Sequence, residues 1–315
     1  MLGANQAVRL GLRAASRNPE LSFGRALLDQ VGNLLALLPV LLAVVLIFGG
    51  TASLLAALAA VRALQWTTLG ALLAAAALSF TAGTVFWAGA LPLIAADTEM
   101  DRRPPSGNFA LLASRGFSRT LVAGLLGSAL SIGSSLACAA ALLAAVPAAI
   151  VRPSPTLLAG AALISTLAIA SGLFFDLLGR LLLVRAAAFG EEATAAFGKA
   201  VVLLGARLGG FLVVSVAFFV LELIAASVAG MLTSVITSTA LFDADAQLLA
   251  LWPRLRVGLA AAAVFAWLEV GRMGALCALA MDAEGMLNDD PVPAPAPAPP
   301  PLAETVIEAL PVEES

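Results

Sequence analysis

Five charged residues lie inside or at the ends of long apolar stretches of the sequence: Asp176, Arg180, Glu222, Glu269 and Arg272. A charge at the centre of a membrane-spanning helix costs about 2.5 to 3.5 kcal/mol, so such side chains normally face the bundle interior and find a partner. Asp176 and Arg180 are four residues apart and therefore share a helix face. The pattern predicts an intramembrane charge cluster in which Arg272 pairs with Glu222 or Glu269.

These charges admit two interpretations. In the first, they pair with one another and only hold helices together. In the second, Glu222 and Glu269 line a hydrated route for a proton, a cation or an amphiphile. A polar cavity that reaches Glu222 in the folded protein would favour the second interpretation.

Enzyme chemistry has little support in the composition. The 315 residues include no His and no Tyr, and the single Lys is Lys199, so the usual bases that activate a Ser or Cys nucleophile are missing. Cys138 and Cys277 fall in separate apolar stretches, where a thiol usually behaves as a small hydrophobe. We therefore expect no catalytic residue, no cofactor and no metal site.

Membrane-spanning helices are the elements that must position the charges. Hydrophobic residues make up 61% of the chain and charged residues 12%, against about 45–50% and 25% in soluble domains. A helix of about 20 apolar residues crosses a hydrocarbon core of about 30 Å, and the alternating strands of a membrane barrel are not seen. Four charge-free windows exceed this length: 30–61, 63–96, 120–151 and 153–175.

The sequence predicts an all-α, polytopic integral membrane protein with six transmembrane helices. We expect a cytoplasmic amphipathic segment over residues 1–32, a six-helix membrane domain over 33–281 and a tail over 282–315. The first span begins near Leu34 and is kinked at Gly49-Gly50 or followed by an interfacial segment that ends near Arg62. The other spans are predicted near 68–96, 121–148, 156–183, 208–232 and 257–281.

Lysine and arginine are distributed unevenly among the connections. The N-terminal segment, the second and fourth connections and the C-terminal side hold 13 of them, and the other three connections hold 4. Positive residues accumulate on the cytoplasmic side of membrane proteins. Both termini are therefore predicted to be cytoplasmic.

A repeat is visible at the cytoplasmic entries. Phe23-Gly24-Arg25-Ala26 matches Phe197-Gly198-Lys199-Ala200, and Phe109 lies between them at a similar spacing. On the returning helices, Gly179-Arg180 matches Gly271-Arg272. The pattern predicts three helical hairpins of roughly 87 residues with amphipathic entries, and chance similarity in an Ala/Leu-rich chain is the alternative.

The entry at Phe197 to Arg207 is predicted to lie at the inner membrane surface. Phe197, Val201 and Leu204 fall near one helical face, and Lys199 and Arg207 can reach anionic head groups.

The repeated Phe entries, the Asn18-Pro19 break and the EEATAAFGKA connection allow a resemblance to be named. Over roughly residues 8 to 285 the chain resembles uncharacterised bacterial six-helix membrane proteins related to the membrane domain of some glycerophosphodiester phosphodiesterases. The resemblance implies a fold and a bacterial inner membrane. No phosphodiesterase domain is part of this sequence, so no catalytic residue or substrate is implied.

The tail has a composition of its own. Eight acidic residues and no Lys or Arg occur from Asp282 onward, and seven prolines between Pro291 and Pro301 form an extended spacer. Leu302, Val306 and Leu310 recur at helical spacing, which suits a short helix that docks on a cytoplasmic protein. A disordered, solubilising tail with no partner is the alternative.

These features favour a non-enzymatic membrane scaffold or partner-binding component, because broken helices, paired midplane glycines and an inverted repeat are not seen. A carrier or channel that uses Glu222 and Glu269 is the alternative. The expected partners are the lipid bilayer and a cytoplasmic protein, with no nucleic acid. The sequence leaves the oligomeric state open.

Overall fold

The structure is a computed structural model that describes residues 2–49, 54–100, 108–151, 154–238 and 244–287. Side chains are described in these ranges except at 36, 38–49, 54–68, 100, 145–146, 148–151 and 244–249. The described residues form seven helices and no strand, which confirms the all-α prediction. The helices are α1 (Ala4–Arg17), α2 (Pro19–Gly49), α3 (Leu54–Met100), α4 (Phe109–Val151), α5 (Pro155–Ala188), α6 (Ala193–Ser238) and α7 (Ala244–Ala283).

Five of the helices are long and apolar enough to cross a membrane. The spans found among the described residues are Leu69–Glu99, Phe109–Ala144, Pro155–Ala188, Ala193–Ser238 and Ala250–Ala283. At 1.5 Å per residue, even the shortest is longer than a hydrocarbon core of about 30 Å. The span predicted from Leu34 falls on α2, whose side chains from 38 onward lie outside the described part. The five spans are compatible with a multi-pass membrane protein.

The helix boundaries follow local signals at several places. The Asn18-Pro19 break separates α1 from α2, and proline suits the first position of a helix. Before α5, the Ser154 hydroxyl accepts a hydrogen bond from the backbone N–H of Leu157 at 3.2 Å. Gly190, with φ of 67°, turns the chain between α5 and α6. The entries at Phe23 and Phe109 continue without a break into α2 and α4.

The structure contradicts one predicted helix boundary and lies close to another. The helix predicted to end near Arg62 and restart at Thr68 is part of the uninterrupted α3, because no Gly or Pro occurs there to stop it. By contrast, α6 leaves helical geometry at Arg207, with φ −132° and ψ 30°, one residue before the predicted start of the span. The proposed kink at Gly49-Gly50 includes Gly50, which lies outside the described residues.

The core is built around the second half of α7. Ala266, Leu268, Val270, Met273 and most residues from 275 to 281 are buried, and α7 packs against α1, α2, α3, α5 and α6. A helix that is buried on all sides forms the centre of a bundle. Leucines on α4 and α5, such as Leu143 and Leu163, are exposed instead, as expected of side chains that face lipid.

Helix α1 packs along α7 and is part of the bundle. Ala7, Ala14 and Ala15 are buried, and Gly11 lies so close to α7 that a Cβ atom there would overlap the Gly271 carbonyl oxygen. The sequence analysis placed residues 1–32 outside the membrane domain. In the structure this segment contains α1, which packs against α7, and the start of α2.

The entry at Phe197 to Arg207 has one face in the core. Phe197 and Val201 are exposed, at 39% and 42%, whereas Leu204 is fully buried. The prediction that all three share a surface face is wrong for Leu204, because α6 packs against the bundle on that side. Phe197 and Val201 remain available to the membrane surface.

The tail begins attached to the bundle. Helix α7 continues to Ala283, one residue beyond the predicted start of the tail at residue 282, and Gly285, with φ of 70°, turns the chain after it. Residues 288–315 lie outside the described part. Docking of residues 302–315 on a cytoplasmic protein stays a prediction.

Candidate intramembrane charge site

Glu269 on α7 is the centre of the site. Its Oε2 atom lies 3.2 Å from Arg25 Nε on α2, and its Oε1 atom lies 3.8 Å from Arg180 Nη1 on α5. Three helices thus meet at one carboxylate. Glu269 and Arg180, two members of the cluster named from the sequence, thus lie together, and the structure adds Arg25.

Each of the two arginines also binds a carboxylate on its own helix. Arg25 Nη2 lies 3.1 Å from Asp29 Oδ1, and Arg180 Nε donates to Asp176 Oδ2 at 2.9 Å. Both pairs are four residues apart, the spacing that places two side chains on one helix face. Charges of alternating sign therefore run in a chain, which we call the charge site: Asp29, Arg25, Glu269, Arg180 and Asp176.

Glu222 and Arg272 form a separate pair between α6 and α7. Arg272 Nη1 lies 3.4 Å from Glu222 Oε1, and Arg272 Nη2 is 3.5 Å from the Ser215 carbonyl oxygen. The predicted pairing of Arg272 is confirmed with Glu222. Glu269 lies three residues from Arg272 on the same helix, but its carboxylate points to α2 and α5.

The sequence analysis missed Arg25 and Asp29 as members of the site. The match between Phe23-Gly24-Arg25-Ala26 and Phe197-Gly198-Lys199-Ala200 assigned Arg25 to the cytoplasmic connections. The available signal was the four-residue spacing of Arg25 and Asp29 in a segment without a helix break before Leu34. The guanidinium carbon of Arg25 also lies 5.7 Å from the ring centre of Trp87, a cation–π contact.

Glycines allow the helices that carry the charges to approach closely. A Cβ atom at Gly127 of α4 would lie 3.0 Å from the Cα atom of Gly179 of α5. Glycine at both positions lets the two backbones pack directly. Arg180 follows Gly179, so this contact fixes the height of its guanidinium beside α4.

Two cavities border the charge site. The smaller one, of about 290 Å³, is lined by Asp176, Arg180 and Glu269 together with hydroxyl groups of Thr84, Ser128 and Ser131. The larger one measures about 730 Å³ and is lined by side chains that include Asp29, Gln30, Asn33 and Ser79. Volumes of about 300 to 1,000 Å³ are typical of ligand sites. Polar groups and free volume therefore coincide inside an apolar bundle.

The two cavities meet at Arg25 and Phe80, which line both. Glu222 is not among the lining residues of either cavity. Neither cavity therefore reaches Glu222, as the carrier interpretation required, and the smaller one borders Glu269 instead.

A second ionic cluster, the Arg185 cluster, joins the ends of α5, α6 and α7. The fully buried Arg185 donates two hydrogen bonds of 2.9 Å to Glu191 and one of 2.6 Å to Glu284. Lys199 Nζ lies 2.7 Å from Glu191 Oε1, and Arg207 at the α6 kink pairs with Asp282. These contacts fix the first residues of the tail to α5 and α6.

The pKa of the Glu191 carboxyl lies below its ordinary value of 4.5. Burial alone would raise this pKa. The hydrogen bonds and positive charges of Arg185 and Lys199 lower the pKa by more than burial raises it. Glu191 is therefore ionised at neutral pH and balances two cations.

Among the described residues, no three His, Cys, Asp or Glu side chains converge so as to hold a metal ion. The Cys138 thiol donates to the Ala168 carbonyl oxygen at 2.9 Å, and Cys277 is buried on α7. What the charge site can do is hold charge in an apolar bundle and present carboxylates to two cavities. Comparison with protein-family models, with curated proteins and with solved structures finds no match to this chain.

Proposed function

We propose that this protein is a carrier or channel for a proton, a cation or an amphiphile, with Glu269 as the carboxylate that meets the ligand. The observation that supports the proposal most directly is the smaller cavity, which Glu269 lines and which shares Arg25 and Phe80 with the larger cavity. Charges that only hold helices together need no free volume around them, because helix packing alone brings the partners into contact. Polar walls around free volume in a membrane favour hydration or a bound ligand.

The scaffold interpretation accounts for Glu222 but not for Glu269. That interpretation rested on the expectation that the buried charges are structural and that the cytoplasmic surfaces and the tail bind partners. Glu222 and Arg272 fit this structural role, since they pair away from the two cavities. Glu269 does not, because its side chain lines the smaller cavity.

The membrane arrangement that we propose has six spans, three hairpins and both termini in the cytoplasm of a bacterium. The distribution of Lys and Arg supports the orientation, and α2 supplies a sixth long helix beside the five apolar spans. Contacts between α2 and α3, between α4 and α5 and between α6 and α7 support the hairpins.

The test is flux through the purified protein in sealed lipid vesicles. Vesicles contain a pH-sensitive dye for protons, a sodium-sensitive dye for alkali ions, or fluorescent phospholipid in one leaflet for an amphiphile. We expect the wild-type protein to move at least one of these probes faster than protein-free vesicles, and Glu269→Gln to reduce that rate about tenfold or more.

The matched control is Glu222→Gln, which removes the same charge at a position that lines neither cavity. This variant is expected to keep more than half of the wild-type rate, and size-exclusion profiles verify that all three proteins remain folded. Equal loss in the two variants, or no flux above protein-free vesicles for any probe, would overturn the proposal.

A further inference from the structure

We infer that Arg25 is the gate between the two cavities and that the ligand which passes it carries one positive charge. This inference rests on the proposed function and names its ligand class. It starts from the position of Arg25, which together with Phe80 lines both cavities. On this inference, a ligand that moves from one cavity to the other passes the Arg25 guanidinium.

The guanidinium of Arg25 occupies a place built for a cation. Asp29 Oδ1 lies 3.1 Å from Nη2, Glu269 Oε2 lies 3.2 Å from Nε, and the Trp87 ring centre is 5.7 Å from the guanidinium carbon. Two carboxylates and an aromatic face are the groups that recognise cationic ligands. A ligand with one positive charge can replace the guanidinium here while both carboxylates keep a partner.

The net charge of the charge site favours a cation over an anion. The charge site holds three carboxylates, on Asp29, Asp176 and Glu269, and two guanidinium groups, on Arg25 and Arg180. An anion would add to this excess of negative charge in a medium that screens poorly. A ligand with one positive charge neutralises the site.

Two carboxylates of the charge site are more exposed than the Arg25 guanidinium, which also favours a cationic ligand. Asp29 and Asp176 are 40% and 41% exposed, whereas Arg25 is 18% exposed and lies between carboxylates. A ligand in either cavity therefore meets carboxylate oxygens first. The guanidinium is reached only after its ion pairs have opened.

The two arginines of the charge site offer a matched comparison. Arg180 contacts the same carboxylate as Arg25 and carries the same charge, but it lines only the smaller cavity. If Arg25 acts as a gate, Arg25→Ala opens the passage between the cavities and Arg180→Ala does not. If the arginines act only through their charge on Glu269, the two substitutions have equal effects.

The experiment measures flux in sealed vesicles for wild type, Arg25→Ala, Arg180→Ala and Arg25→Ala with Glu269→Gln. The cationic probes are protons, sodium and the organic cation ethidium, and the anionic probe is chloride. We expect Arg25→Ala to raise the flux of at least one cationic probe about tenfold or more and to leave chloride flux unchanged. The three cationic probes distinguish a proton, an alkali ion and an organic cation as the ligand.

Arg180→Ala is expected to change cation flux less than threefold, and Glu269→Gln is expected to cancel the gain of Arg25→Ala. Because loss of Arg25 removes a buried partner, Arg25→Gln, which keeps a hydrogen-bonding side chain, is measured in parallel and is expected to show the same direction of change. If the size-exclusion profile shows that Arg25→Ala is misfolded, the cation flux of Arg25→Gln alone tests the gate.

Failure of this inference is distinct from failure of the proposed function. Flux that depends on Glu269 but rises equally in Arg25→Ala and Arg180→Ala overturns the gate, and a rise in chloride flux overturns the ligand class. No flux of any of these probes in any variant overturns this inference, whereas the proposed function falls only if the phospholipid probe shows no flux either.

Discussion

At the scale of the residue, the pair of Arg272 and Glu222 shows how a buried charge depends on its partner. The Arg272 side chain is 9% exposed, and Glu222 is 28% exposed. Taking both charges out of water is costly, and loss of one partner leaves the other uncompensated. The net value of the pair is therefore small, whereas its disruption is expensive.

We predict that Arg272→Leu lowers the stability of the protein by about 3 kcal/mol and reduces its abundance in the membrane. Arg272→Leu combined with Glu222→Leu is expected to recover most of this loss, since no charge is then left alone. Thermal unfolding in detergent and membrane abundance measure both variants. Equal loss in the single and the double variant would contradict the pairing as the cause.

Glu191 provides a pH-dependent prediction at the same scale. A carboxyl group whose pKa is lowered by folding stabilises the protein above its unfolded pKa, and this contribution is lost as the pH falls through the folded pKa. For Glu191 the stabilisation is therefore complete well above its ordinary pKa of 4.5 and declines below it.

We expect Glu191→Gln to unfold at a lower temperature than wild type at pH 7, because Arg185 and Lys199 lose a shared carboxylate. The difference should shrink as the pH is lowered from 5 to 3, where wild type gradually loses the same charge. Glu192→Gln, at the exposed neighbouring position, is the control and should stay close to wild type throughout. A difference between wild type and Glu191→Gln that does not change with pH would rule out this role of the charge.

Buried charged residues were predictable where they interrupt an apolar stretch. Asp176, Arg180, Glu222, Glu269 and Arg272 were identified in this way, because charge is costly in a spanning helix. Arg25 precedes the apolar run that begins at Leu34, so the same argument could not single it out. The choice of Arg25 and Arg180 as partners of Glu269 depends on helix rotation, which spacing along one chain does not determine.

At the scale of the element, the contact between α1 and α7 depends on the glycine at residue 11, which has no side chain. A Cβ atom at Gly11 would overlap the carbonyl oxygen of Gly271 and lie 2.7 Å from the Ala275 backbone nitrogen. Both are backbone atoms, so a side chain at residue 11 can be accommodated only if a helix moves.

We therefore predict that Gly11→Ala lowers stability by about 1 to 3 kcal/mol, the usual cost of overpacking. The control is Gly133→Ala on α4, where an added Cβ meets no atom within 4 Å. That variant should be neutral or stabilising by up to about 1 kcal/mol, since alanine is the better helix former. Thermal unfolding of both variants measures the difference, and equal stability of the two would show that α1 is not held in this contact.

Helix boundaries were predictable where a residue type enforces them. Pro19, Pro155 and Gly190 mark boundaries that the structure has, through proline at a helix start and glycine at positive φ. The boundary placed between Arg62 and Thr68 was wrong, because it rested on the polarity of this segment. Polarity alone does not stop a helix, and neither Gly nor Pro occurs between Leu54 and Leu69.

At the scale of the whole molecule, the sequence offered a physical reason to expect α7 in the interior of the bundle. Helices that face lipid can be apolar all round, whereas a span that carries Glu269 and Arg272 must be shielded from lipid. That argument selects the interior helix but not its neighbours. The packing of α1 against α7 depends on close contacts between small residues, which also occur in many other parts of this Ala-rich chain.

Orientation in the membrane gives the fourth prediction. Because Lys and Arg are concentrated at the ends and at alternate connections, reporter proteins fused to either terminus should report the cytoplasm. A fusion at Arg152, in a connection predicted to lie on the opposite side, is the control and should report the periplasm. Periplasmic signals at both termini would overturn the proposed orientation.

The ion pair between Arg25 and Glu269 joins residues 244 positions apart, which has a consequence for the order of synthesis. At about 5 to 20 residues per second, roughly 12 to 50 s separate the two residues on the ribosome. Arg25 therefore waits in or near the bilayer until nearly all of the bundle has been made. A nascent chain that stops before α7 lacks the carboxylate shared by α2 and α5.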